Sequence, residues 1–108
     1  MIRIKVKRLV YTSIEIEGHA GFDEPGKDII CAAVSALWNT MIWNLDRENI
    51  KCEVTGADGY RKVVIQEQSA PMKSMTLNTI LDTILTGLVK LAEECEGYVA
   101  VFDLSNQI

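Results

Sequence analysis

The chain contains one histidine, His19, and three cysteines, Cys31, Cys52 and Cys95. A deprotonated cysteine sulfur is a strong nucleophile, and imidazole is the side chain suited to move its proton near neutral pH. Cys31 differs from the other two cysteines in what precedes it. Asp28 has the side chain of a helix N-cap, which makes Cys31 the third residue of a helix. Unpaired backbone N–H groups and the positive end of the helix dipole gather in that first turn, and both favour negative charge on the sulfur. The same N–H groups are candidate donors to the oxyanion of an acyl-transfer intermediate. Ser35 falls one turn later on the same face. Its hydroxyl can either reach the surroundings of the sulfur or bond back to the Cys31 carbonyl.

A buried thiol behaves as a small hydrophobe, and a lone histidine is commonly a surface side chain. Cys52 lies on the apolar phase of an expected strand and Cys95 seven residues beyond Leu88, so both read as core. No two of the four His and Cys residues have the short spacing of a zinc site, and no cofactor or metal is expected. A redox sensor at Cys31 lacks a nearby resolving cysteine in the sequence.

These residues need elements to position them. Ile2, Ile4 and Val6 alternate with Arg3, Lys5 and Lys7, the period of a half-buried strand, and Ile14 and Ile16 between Glu15 and Glu17 form its hairpin partner. The cationic outer face of one strand would then lie opposite the acidic outer face of the other. From Ile29 the period becomes helical: Ile30, Val34, Leu37, Trp38, Met41, Ile42 and Leu45 make one stripe, ending near Glu48. Trp43 falls off the stripe, an exposed aromatic suited to an oligomer contact. Ile50, Cys52 and Val54 alternate, Asp58-Gly59 is a hairpin turn, and Arg61 to Glu67 is the return strand. After a polar stretch through Pro71, a second helix is expected from about Ser74–Thr76, with Leu77, Ile80, Leu81, Ile84, Leu85, Leu88 and Ala92 buried and Gly97 at C′. Tyr98 to Leu104 is a last strand. The order ββαββαβ predicts an α+β fold in two layers, a mostly antiparallel sheet covered on one face by two helices, forming one domain over residues 1–108. Strand order does not follow from this pattern.

One segment serves none of these elements. Gly18-His19-Ala20-Gly21-Phe22-Asp23-Glu24-Pro25-Gly26-Lys27-Asp28 carries three glycines and the histidine, and it runs directly into Cys31. Pro25 and Gly26 are expected to break the chain before the helix. Long loops in compact domains are commonly functional. Gly18, Gly21 and Gly26 would let this one open and bring His19 into range on closing.

Composition narrows the classes. At 108 residues, 48% hydrophobic and 24% charged, the chain has the make-up of a globular domain with a real core. Eleven Lys plus Arg against fifteen Asp plus Glu give a net charge of −4. That balance argues against sequence-independent nucleic-acid binding and fits a basic partner better. No apolar run reaches the ~18 residues that cross a bilayer, so no membrane span is expected. The first residues alternate charge and lack a signal-peptide core, and the cysteines read as free thiols, so a cytoplasmic location is expected.

Gly18-His19-Ala20-Gly21, followed by Gly26-Lys27-Asp28-Ile29-Ile30-Cys31-Ala32-Ala33-Val34-Ser35-Ala36-Leu37, closely resembles the signature of the ribosomal-processing cysteine protease family Prp. Both motifs, and the length between them, occur together, and the element order fits over the whole chain. The resemblance implies a bacterial cytoplasmic endopeptidase, a homodimer, that removes the N-terminal extension of large-subunit ribosomal protein twenty-seven after a pair of phenylalanines. It implies Cys31 as nucleophile and His19 as general base, with Asp28 and Ser35 at further motif positions. The partner would be the basic N-terminal peptide of that ribosomal protein, without direct nucleic-acid contact. The competing class is a non-enzymatic ribosome-assembly or peptide-binding module, which needs the acidic surface and the loop but no reactive thiol.

Overall fold

A computed structural model describes residues 1–24 and 26–105 of the chain, so the expected break at Pro25 lies outside the described residues. Strands β1 (Ile2–Arg8) and β2 (Thr12–Glu17) form the N-terminal hairpin, and helix α1 (Ile29–Arg47) follows the glycine-rich loop. A second hairpin, β3 (Cys52–Ala57) and β4 (Tyr60–Ile65), leads to helix α2 (Pro71–Glu94) and strand β5 (Val99–Asp103). This is the expected ββαββαβ order in an α+β fold. The sheet order is β3-β4-β2-β1-β5. Three pairings are antiparallel, and β5 runs parallel to β1. The sheet is therefore mixed, because α2 carries the chain back across it before β5 begins.

Alternation along each strand decides which side chains meet the helices. Ile4, Ile14, Val63 and Ile65 are fully enclosed, and Met41 and Leu45 of α1 with Leu81 and Leu88 of α2 close over them. Gly87 lets the helices approach, since a Cβ there would sit 3.3 Å from a Leu37 methyl carbon. On the open face Arg3 lies opposite Glu17 and Lys5 opposite Glu15, with a Lys5 Nζ–Glu17 Oε1 distance of 3.0 Å. That matches the expected charge pairing, which as an exposed cross-strand contact contributes only about 0.2–1 kcal/mol.

Several boundaries differ from the sequence reading. Helix α2 starts at Pro71, about one turn before the expected Ser74–Thr76, because the fixed φ and missing N–H of proline suit a first helical position. It ends at Glu94 with Cys95 as C-cap, which places Gly97, at φ +89°, one position beyond the expected C′. Helix α1 ends with Asn49 in the left-handed region, φ 56°, a turn that lets Ile50 N–H bond the Leu45 carbonyl at 2.9 Å. Ile50 is thus buried ahead of β3 rather than within it. Cys52 and Cys95 are half-buried and pack against the core. By length and composition α2 reaches the dimensions of a membrane span, which the run of uninterrupted apolar residues did not suggest. Its Leu77, Leu81, Ile84 and Leu88 are buried in the core.

Candidate active site

Helix α1 begins where the sequence places it. Asp28 has extended backbone angles and its Oδ1 accepts from the N–H groups of Ile30 and Cys31, both at 3.0 Å. Its Oδ2 accepts from Phe22 N–H at 3.0 Å and Asp23 N–H at 3.3 Å. One carboxylate therefore caps the helix and folds the preceding loop back onto it. The Cys31, Asp23, Phe22 and Ile30 donors hold the Asp28 carboxyl below the ordinary carboxylate range, against the opposing effect of burial. With all four bonds directed to backbone, Asp28 does not orient His19.

These bonds also correct the expected oxyanion site. The N–H groups of Ile30 and Cys31 are taken by Asp28 Oδ1, and that of Ala32 bonds the Asp28 carbonyl at 3.1 Å. The side-chain cap thus already occupies two of the first-turn donors an oxyanion could use. A different amide faces the sulfur: Ala20 N–H points at Cys31 Sγ across 3.5 Å. Ala20 is buried, anchoring the loop one residue after the histidine.

His19 follows directly from β2. Gly18, at φ +92°, makes the turn out of the strand, and its N–H bonds the Gly59 carbonyl at 2.8 Å. A Cβ on Gly18 would run into the Met1 carbonyl. The Glu17–Tyr60 register brings the start of the loop beside the β3–β4 turn. There the imidazole lies against Gly59, where a Cβ would sit 2.9 Å from Nε2. Asp58 Oδ1 is 4.0 Å from Nε2, beyond hydrogen-bond range, and both side chains are largely exposed. Among the described residues Asp58 is the one carboxylate within 4.0 Å of this imidazole, and the sequence pattern does not single it out. Its only signal was membership of a hairpin turn, with no indication that the turn neighbours β2.

The loop between His19 and Asp28 is docked. The ring of Phe22 stands edge-on to Tyr98, with centroids 5.4 Å apart and planes at 79°. Gly21 and Gly26 also have left-handed φ values, 71° and 84°. His19, Cys31 and Ser35 share one cavity of about 170 Å³ with Ile16, Asp58 and Arg61 among its walls. Within it no hydrogen bond joins His19 to Cys31, an arrangement compatible with a base that tightens onto its partner when substrate arrives. Ser35 does not bond back to the Cys31 carbonyl; its Oγ accepts from Arg61 Nη2 at 2.9 Å. Among the described residues no three His, Cys, Asp or Glu side chains gather as a metal site.

No curated protein sequence matches the chain. In three dimensions it resembles an essential ribosomal processing protease Prp from S. aureus in complex with a covalently linked product peptide, with TM-score 0.82 and 20% identity, covering 95% of this chain and 99% of that one. The same S. aureus protein in complex with a substrate peptide gives TM-score 0.75 at 20% identity, with the same coverage. SMU.848 from Streptococcus mutans gives TM-score 0.75 at 25% identity, covering 98% of this chain and 96% of that one. At such identities the S. aureus likenesses speak for the fold. Residues 1–100 match the sequence model described as cysteine protease Prp. The chain belongs to the cysteine protease Prp family.

Proposed function

We propose that this cysteine protease is a ribosomal-processing endopeptidase that removes the N-terminal extension of large-subunit ribosomal protein twenty-seven, cutting after a Phe-Phe pair. Cys31 is the nucleophile and His19 the general base. The observation that carries the reading is the Ala20–Cys31 contact, which seats the histidine-bearing loop against the sulfur at the start of α1. The S. aureus protein of like fold is named for ribosomal processing and was crystallised with a substrate peptide, which supports the substrate class. The net charge of −4 suits a basic peptide.

The chemistry follows from these groups. His19 takes the thiol proton of Cys31, and the sulfur adds to the scissile carbonyl carbon. Ala20 N–H, which lies 3.5 Å from the sulfur, is the backbone donor we assign to the oxyanion. As the carbonyl re-forms, the C–N bond breaks and His19 passes its proton to the departing amine. Water then adds to the thioester with His19 as base. The sulfur leaves, regaining a proton, and the product departs with a new carboxylate. The glycine-flanked loop opens for the peptide and closes with His19 over it. Three free cysteines fit a reducing cytoplasm, and Trp43, 69% exposed, offers a surface for a second copy in a homodimer.

The test is a basic peptide with an internal Phe-Phe pair, incubated with wild type, Cys31→Ala and His19→Ala and read by mass. One cut after the phenylalanines is expected in wild type only, with His19→Ala costing turnover more than stability. Cleavage by Cys31→Ala would remove the nucleophile assignment, and a cut elsewhere would remove the site preference.

A further inference from the structure

Strand β4 places a cation where its pattern calls for an apolar side chain. Tyr60, Lys62 and Val64 point to the open face of the sheet, while Arg61, Val63 and Ile65 share the face covered by the helices. The register pairs Arg61 with Ile16, whose side chain is buried on that face. Val63 and Ile65 are fully enclosed, but Arg61 is half-buried at the end of the core, where it opens into the cavity holding Cys31 and His19. Period-two alternation sends the neighbouring acids to the other face. There Glu15 accepts from the Tyr60 hydroxyl at 2.8 Å and Glu17 pairs with Lys5.

Among the described residues no carboxylate lies within 4.0 Å of the Arg61 guanidinium, and its one side-chain hydrogen bond is to Ser35 Oγ. Taking a guanidinium partly out of water without an anion is costly, and five N–H donors are poorly served by one hydroxyl. Ser35 stands one helical turn beyond Cys31, so it holds the fork on the wall of the cavity that contains the nucleophile. No Arg61 nitrogen is buried without a partner, so the donors not bonded to Ser35 reach water at the cavity, where a peptide oxygen can replace it.

We propose that Arg61 is a substrate-anchoring residue: held by Ser35, it donates to a main-chain carbonyl oxygen of the peptide beside the scissile bond. A main-chain carbonyl is the acceptor that every peptide presents, whereas a basic substrate offers few side-chain carboxylates. The inference rests on Cys31 being the nucleophile. It explains Ser35 as the holder of the anchor, and it makes the position of the substrate depend on a strand far from α1 in sequence.

The experiment compares binding of the basic Phe-Phe peptide to Cys31→Ala and to Cys31→Ala/Arg61→Met. Steady-state cleavage by Arg61→Met, Arg61→Lys, Ser35→Ala and the Ser35→Ala/Arg61→Met pair is measured alongside, with the iodoacetamide alkylation rate of Cys31 in each. Loss of a charge-assisted hydrogen bond predicts peptide binding weaker by on the order of 10- to 100-fold. KM should rise with kcat little changed, alkylation should hold steady, and the double variant should be no worse than Arg61→Met. Arg61→Lys, which keeps the charge and loses the fork, should fall between. Unchanged peptide binding, or a loss confined to kcat or to alkylation, overturns the anchor. If Arg61→Met does not fold, Ser35→Ala decides: weaker binding with steady alkylation supports the proposal, and wild-type binding overturns it. A Cys31→Ala protein that still cleaves overturns the nucleophile assignment and the anchor together, a result distinct from failure of Arg61 alone.

Discussion

The imidazole of His19 rests against the Cα of Gly59, close enough that a Cβ at that position would lie 2.9 Å from Nε2. The residues are 40 positions apart, and the contact exists because β4 pairs with β2. The place of the histidine is thus set by a hairpin turn in the second half of the chain.

Gly59→Ala tests this contact. The substitution forces a side chain onto a backbone at φ +72° and into the ring. A cost of roughly 1–2 kcal/mol in stability is expected from the left-handed conformation. Cleavage of the peptide should fall by at least about tenfold as the imidazole is displaced, by analogy with the sensitivity of catalysis to ~1 Å misplacement. Wild-type kcat/KM in a destabilised Gly59→Ala protein would show that the ring position is immaterial.

Asp28 gives the protein an acid-sensitive loop. Its carboxyl titrates below the ordinary range because it accepts backbone N–H bonds in the folded state. A lowered folded-state value stabilises the fold fully above the unfolded carboxylate value, about 3.9, and that contribution is lost as pH falls through the folded value. Asp28→Asn should lower Tm by several degrees at pH 7 and much less at low pH, with the difference closing on acidification. Thermal melts across that range check the sign; a gap that widens on acidification contradicts it.

The cysteines should differ in reactivity. Burial and the nearby Asp46 carboxylate push the Cys52 thiol above its ordinary value, leaving little thiolate at neutral pH. Limited iodoacetamide treatment followed by peptide mapping should label Cys31 well before Cys52, with labelling of Cys52 rising only at alkaline pH. Equal early labelling of the two would mean that Asp46 and burial do not protect Cys52.

Phe22→Ala removes the edge-on contact with Tyr98, an aromatic pair worth about 0.5–1.5 kcal/mol. The expected result is faster amide hydrogen exchange across residues 19–24 with little change in the sheet. Exchange unchanged in that segment would show that the Asp28 bonds alone hold the loop.

The elements and the ends that matter most are written in local pattern. Alternation in β1 and β2, the helical stripe of α1 and the Asp28 cap are local patterns of period and hydrogen bonding, so they survive reading in one dimension. The same locality placed Cys31 in the first turn, and the motif around His19 and Cys31 carried the family resemblance. Where local rules compete, pattern alone does not set the boundary: Pro71 begins α2 rather than preceding it, and Asn49 turns the chain after α1. The surroundings of the histidine depend instead on strand order. Pairing of β2 with β4 put Asp58 and Gly59 beside His19 and turned Arg61 toward Ser35, and such long-range pairings leave no local mark. The Asp28 carboxylate also takes the first-turn amides of Ile30 and Cys31, because which acceptor wins a backbone N–H is settled only once the loop has folded back.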